Sequence, residues 1–162
     1  MSAPIEILRG VVHPWYCDNF GHMNVRWYSH FFDDAAFHLW PLYWGSHKKM
    51  QDEFAVHTVT ASATVQFLQE LLAGDLILVD SSLTRVGRKS CTFTERMLHV
   101  DTKEVHATYD TVEVFFDPRT RKATEIPAPI RRALENAYQV APQDQKPNGD
   151  DTCRHPKSSS ES

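Results

Sequence analysis

The chain is poor in cysteine. It has three, Cys17, Cys91 and Cys153, an odd number with no close pair and no Cys-x-x-Cys spacing. That argues against a disulfide framework and for reduced thiols, so a cytoplasmic setting is expected. Long apolar runs are missing too. None reaches the ~20 residues of a membrane-spanning helix, and no apolar signal-like segment stands at the N-terminus, so no membrane partner is expected. Positive charge is not in excess: the formal net charge is -4 and the pI about 6.1, which points away from a nucleic-acid partner. No internal repeat is visible. What is present is 162 residues, enough for one domain with a core of its own that needs neither disulfides nor metal.

Residues 5–17 mix Ile5, Ile7, Val11, Val12, Trp15 and Tyr16 with polar residues. They read as a first strand interrupted near Gly10 and Pro14, since proline cannot donate to a ladder. Asn24 is a good N-cap, and behind it Val25, Tyr28, Phe32, Ala35 and Leu39 recur at helical spacing. Pro41 is expected to end or kink this helix. After a polar link, Val59, Ala61, Ala63, Val65 and Phe67 alternate with Thr60, Ser62, Thr64 and Gln66, the cleanest strand pattern in the chain. Further strands are expected over Leu76–Val86, Ser90–Val100 and Val105–Phe116, with hairpin turns at Val86-Gly87-Arg88 and Asp101-Thr102-Lys103. Ala128–Tyr138 reads as a closing helix. One long helix followed by consecutive antiparallel strands is an α+β pattern, in which a sheet curls round the helix. Residues 1–140 form this domain. Residues 141–162, polar and rich in Pro and Ser, are expected to be a disordered tail.

The stretch Asp18-Asn19-Phe20-Gly21-His22-Met23-Asn24, followed by Tyr28, Phe31, Phe32 and Ala35, organises the whole. An acid after a strand, a glycine turn and a capped helix place a carboxylate beside free backbone N–H donors and the positive end of a helix dipole. Such a pair can deliver an attacking oxygen to a carbonyl and stabilise the oxyanion. This motif resembles that of the hotdog-fold acyl-CoA thioesterases of the 4-hydroxybenzoyl-CoA thioesterase type. Val65-Gln66-Phe67, Ala73-Gly74-Asp75, Ala107–Asp117 and Ile126-Pro127 agree with it over residues 5–135. Ala36 stands where that family often carries an arginine.

The resemblance implies a hotdog fold, a thioester hydrolase releasing free acid and coenzyme A, and assembly as a homodimer or homotetramer. It makes Asp18 the nucleophile or general base. Without the resemblance, the favoured reading of Asp18 is an acid that stabilises the Gly21 turn through local hydrogen bonds. The oxyanion donors would be the N–H groups near Val25 and Arg26. Asn24 caps and can orient water, and His22 can assist in orientation or proton transfer. No cofactor is expected beyond coenzyme A as part of the substrate. Arg85, Arg88 and Lys89, clustered at a hairpin, suit the coenzyme's phosphates, though an ordinary solvated turn would look the same.

Other groups carry weaker signals. His30, Asp34 and His38 share a helix stripe, but the stripe drifts over two turns and lacks a further ligand, so a polar face is expected and no metal. Asp33 and Asp34 are the alternative carboxylates, because a second hotdog subgroup places its catalytic acid on the central helix. Trp15, Trp27, Trp40 and Trp44, with Tyr28 and Tyr43, are read mainly as core or interface, the alternative for a minority of them being a cage for a cationic acyl group such as a betaine. The competing functions are a hotdog dehydratase or hydratase on acyl thioesters, and a protein that binds acyl-CoA without turnover.

Overall fold

The computed structural model describes residues 1–139; the tail expected at 141–162 lies outside them. Their elements run β1 (Ile5–Val11), a single 3-10 turn (Pro14–Tyr16), α1 (Val25–Trp44), α2 (His47–Phe54), β2 (His57–Phe67), β3 (Leu76–Val86), β4 (Ser90–His99), β5 (Val105–Asp117), β6 (Lys122–Ala123) and α3 (Ala128–Gln139). The strands form one antiparallel sheet in the order β1-β3-β4-β5-β2, with β6 paired to β5. This sheet lies against α1 in the α+β hotdog arrangement.

Register decides which side chains meet the helix. Side chains alternate between faces. The pairs Val79↔Met97, Ser81↔Glu95 and Leu83↔Phe93 join β3 to β4. Met97↔Ala107, Glu95↔Tyr109 and Cys91↔Glu113 continue that face onto β5. Phe93, Met97 and Phe115 on this face are fully buried. From the helix, Phe32 stacks on Tyr109 at 4.9 Å between ring centroids. Trp40 meets Phe93 and Phe115 edge-on at 5.9 and 5.6 Å. Burying such rings stabilises the fold by roughly 1.5–3 kcal/mol each. Gly10 lets β1 approach α1, because a Cβ there would sit 2.8 Å from Cε1 of Phe31. The strand therefore runs through Gly10 to Val11 rather than breaking there.

Three further sequence expectations change. Pro41 lies inside α1 and does not end it. Its missing N–H frees the carbonyl of Phe37, but Phe37 is exposed and water can satisfy it, while buried Trp40 holds the last turn to the sheet. The "polar link" contains α2, capped by Ser46, whose hydroxyl accepts from the Lys49 N–H at 3.0 Å. Met50 anchors it in the core. In β2 a bulge between Thr60 and Ser62 shifts the pairing. The extra residue reverses the alternation, so Thr58 and Thr60 share the helix-facing side with Ala63, Val65 and Phe67, and Val59 turns out to solvent.

Candidate active site

The chain doubles back immediately before α1. Cys17 and Met23 pair as a short antiparallel bridge, the Asp18 N–H donates to the His22 carbonyl at 2.9 Å, and the Gly21 N–H to the Asp18 carbonyl at 3.1 Å. Gly21 closes the loop at φ +85°, a conformation costly for residues with a side chain. The loop is tied to the segment before β3. The Met23 N–H donates to the Leu71 carbonyl at 2.7 Å, His22 bridges to Leu72, and the Tyr28 hydroxyl donates to the Gln69 carbonyl at 3.3 Å. A ring nitrogen of His106 lies 2.9 Å from the Glu70 carbonyl.

Within this loop Asp18 is half-buried. Its Oδ1 accepts from the Phe20 N–H at 2.8 Å and the His22 N–H at 3.3 Å. This is the turn-stabilising role, and it fixes the carboxylate's orientation. Oδ2 has no protein partner among the described residues. At the helix start, Asn24 Oδ1 accepts from the Arg26 N–H at 3.2 Å, and the Asn24 carbonyl accepts from the Trp27 N–H at 2.9 Å. The cap thus occupies one of the two expected oxyanion donors. The Val25 N–H, on an exposed residue, meets no acceptor among the described residues. Asp18, His22, Asn24 and Val25 therefore come together at one loop–helix junction, as the sequence spacing requires.

Arg85, Arg88 and Lys89 do not join them. The site abuts the start of β3, and these residues sit at its far end, about 30 Å away for nine residues of strand. Arg88 pairs with Glu125 at 2.9 Å, and the Lys89 ammonium donates to the Ala123 carbonyl at 2.8 Å. Arg85 lines a surface hollow together with Glu135 and Tyr138 of α3. On the helix stripe, His30 and Asp34 approach to 3.5 Å in half-exposed positions, and no group of three metal-ligating side chains occurs among the described residues.

A second feature lies further along α1. A cleft of about 140 Å³ opens between the helix and strands β2, β4 and β5, lined among others by Asp33, Ala36, Trp40, Tyr109, Glu95 and Glu113. Asp33 thus points chemistry into the cleft, and Asp34 does not line it. Ala36, small where the resembling family often has arginine, leaves the cleft open. Glu95 is 1% exposed, and its Oε2 has no hydrogen-bond partner. Burial, reinforced by the nearby Glu113, pushes its carboxyl up to about 8. Glu113 is also raised by burial, although the Thr60 hydroxyl donates to it at 2.5 Å. These two acids escaped the sequence reading. A glutamate in the alternating pattern of a strand looks like a solvent-facing residue until its cross-strand partners show which face is covered.

A curled antiparallel sheet on one long helix is the hotdog architecture, and the family match places the chain in its thioester-hydrolase class. The chain belongs to the thioesterase-like superfamily, whose family model matches residues 12–134. No curated protein matches it. Among solved structures it is similar to the hypothetical protein SAV2348 from Staphylococcus aureus in complex with CoA, at 17% identity over 96% of this chain and 98% of that one, with a TM-score of 0.79. It is also similar to the 1,4-dihydroxy-2-naphthoyl-CoA thioesterase Slr0204 from Synechocystis (15% identity, 83% and 97% covered, TM-score 0.71). The probable thioesterase YbaW from Escherichia coli follows at 20% identity, with 80% and 96% covered and a TM-score of 0.69. At these identities the likeness concerns the fold.

Proposed function

We propose that the protein hydrolyses an acyl-CoA thioester to the free acid and coenzyme A, in the manner of the 4-hydroxybenzoyl-CoA type, with Asp18 as its catalytic carboxylate. The observation that carries this reading is the pairing, at one junction, of a carboxylate with one unpartnered oxygen and a helix-start N–H without an acceptor. Asp18 supplies the attacking oxygen, its own or that of a water molecule it deprotonates. The N–H of Val25, with the positive end of α1, stabilises the oxyanion. The carbon–sulfur bond then breaks, and the coenzyme thiolate leaves with little need of an acid. His22 and Asn24 keep the loop and the helix start in register.

The test is thiol release from a panel of short, aromatic, long and cationic acyl-CoAs by wild type and Asp18→Asn, with melting curves of both. Wild type is expected to release thiol from at least one thioester. Conversion between enoyl and hydroxyacyl forms without thiol release would favour a hydratase, and binding without either change a carrier role. One observation favours a second catalytic arrangement: Asp33, not Asp18, lines the cleft. If Asp18→Asn stays active and Asp33→Asn does not, the chemistry belongs to the helix.

Self-association through β2 is part of the same reading. This strand pairs with β5 alone and leaves Val59 and Phe67 43% and 49% exposed. Such an edge invites pairing with a second copy, and a partner protomer would be the means by which the distant Arg85, Arg88 and Lys89 reach the coenzyme's phosphates. Sedimentation at micromolar concentration is expected to give a dimer or tetramer.

A further inference from the structure

The cleft along the middle of α1 has an unusual lining for an acyl pocket. Its base holds Glu95, almost wholly buried, with an oxygen that no protein group satisfies. Opposite Glu95 in the β3–β4 register is Ser81, whose buried hydroxyl is likewise without a partner. Native interiors seldom leave such atoms orphaned, so a polar occupant is expected. Glu113 and Asp33 add two further carboxyls to the wall, and Trp40, Phe37 and Tyr109 add aromatic surface. Among the described residues no lysine or arginine lines the cleft. His47 does, and burial together with His57 holds its pKa below the ordinary value, which favours the neutral ring.

Carboxyls and ring faces without an internal cation are complementary to a cation brought by a ligand. Position gives the length of the arm. Glu95 pairs with Tyr109, which stacks on Phe32, and Ala36 lines the same cleft. From Val25 to this level of the helix is about 10–16 Å at ~1.5 Å per residue. A group bonded close to the thioester carbonyl would not reach it.

Building on the thioesterase reading, we propose that this cleft binds the far end of the acyl group and selects a medium-length acyl arm terminated by an ammonium or quaternary ammonium group. The cation would sit against Glu95 and Glu113, with Trp40 and Tyr109 alongside, while the thioester lies at the start of α1. Glu95 would then give up its proton to solvent to admit the charge.

The experiment uses two non-hydrolysable thioether analogues of coenzyme A, an ω-trimethylammonio-acyl compound of medium chain length and its neutral tert-butyl isostere, with calorimetric affinities for the full chain. Wild type is expected to bind the cation at least about tenfold more tightly, the size of a desolvated charge–aromatic contact. Glu95→Gln should bring that ratio close to one. Glu113→Gln should lower it part of the way and serves if Glu95→Gln fails to fold. Equal or tighter binding of the neutral isostere by wild type overturns the proposal, as does a ratio that both variants leave untouched. Hydrolysis of the corresponding thioesters is measured separately. Turnover without cation preference removes the proposal and leaves the thioesterase reading. Cation preference without turnover does the reverse.

Discussion

The start and the middle of α1 present carboxylates in opposite ways. At its start, Asp18 sits in an open loop, its orientation fixed by backbone N–H groups and one oxygen left free. Towards its middle, Glu95 and Glu113 reach the helix from the sheet and line a cleft, Glu95 buried at its base and Glu113 half-buried on its wall. The loop acid is close to solvent and to helix-start donors, which suits an attacking or proton-accepting oxygen. The sheet acids are pushed upward by burial, which suits recognition and costs stability whenever they ionise. On the proposed reading one helix separates chemistry from selection, and the separation can be tested by changing one region at a time.

The largest effect is expected at the loop. Asp18→Asn keeps the shape and two acceptor hydrogen bonds but removes the charge, so turnover should fall at least ~10²-fold with melting temperature nearly unchanged. Asp33→Asn should cost less, as measured by initial rates on the best thioester of the panel. The reverse order would transfer catalysis to the cleft and erase the contrast.

Next comes the pH dependence of stability. Glu95 holds its proton in the folded chain up to about 8, against an ordinary value of 4.5. Between these values the folded state carries a proton that the unfolded state has lost. Stability should therefore fall as pH rises through this window, by up to roughly 1.4 kcal/mol per pH unit from this group. Glu95→Gln should flatten the curve from urea titrations at several pH values, leaving a smaller slope from Glu113, and should be the more stable protein in mild alkali. An unchanged slope would mean that the cleft is wet enough to solvate the carboxylate.

Smaller effects follow at the helix cap and the far hairpin. Asn24→Ala removes the acceptor for the Arg26 N–H and should destabilise by ~1 kcal/mol. Because it also frees a second donor at the oxyanion position, the loss in turnover should be modest, and thermal melts with steady-state rates separate the two. Arg88→Ala breaks an exposed ion pair with Glu125 and should change stability by no more than ~1 kcal/mol. A marked rise in KM for acyl-CoA in Arg88→Ala, with kcat unchanged, would show that this distant hairpin reaches the coenzyme through a second protomer.

Local physics wrote much of this into the sequence. Asn24 caps α1 because its short side chain reaches the first-turn N–H groups. The glycine-containing turn between Asp18 and His22 needs only neighbours within four residues. The strand bounds of β3 and the two hairpins after it follow from alternation and turn chemistry. Asp18, His22, Asn24 and Val25 could be grouped in advance because they are consecutive in one loop and one helix turn.

Other features depended on partners far away in the chain. Pro41 leaves α1 intact because Trp40 packs on Phe93 and Phe115, a gain that local proline rules cannot contain. The bulge in β2 turns Thr58 and Thr60 toward the helix and Val59 outward, since a single extra residue reverses every side chain beyond it. Glu95 is buried only because its neighbours on β3 and β5, Ser81 and Tyr109, place it under α1. Arg85, Arg88 and Lys89 are separated from Asp18 by the length of β3, although their composition suited the same ligand. Capping and turn geometry are satisfied within a few residues and so can be read from the chain. Which face a strand buries, and which end of the sheet a charge occupies, are set by cross-strand register, which exists only once the sheet has closed around the helix.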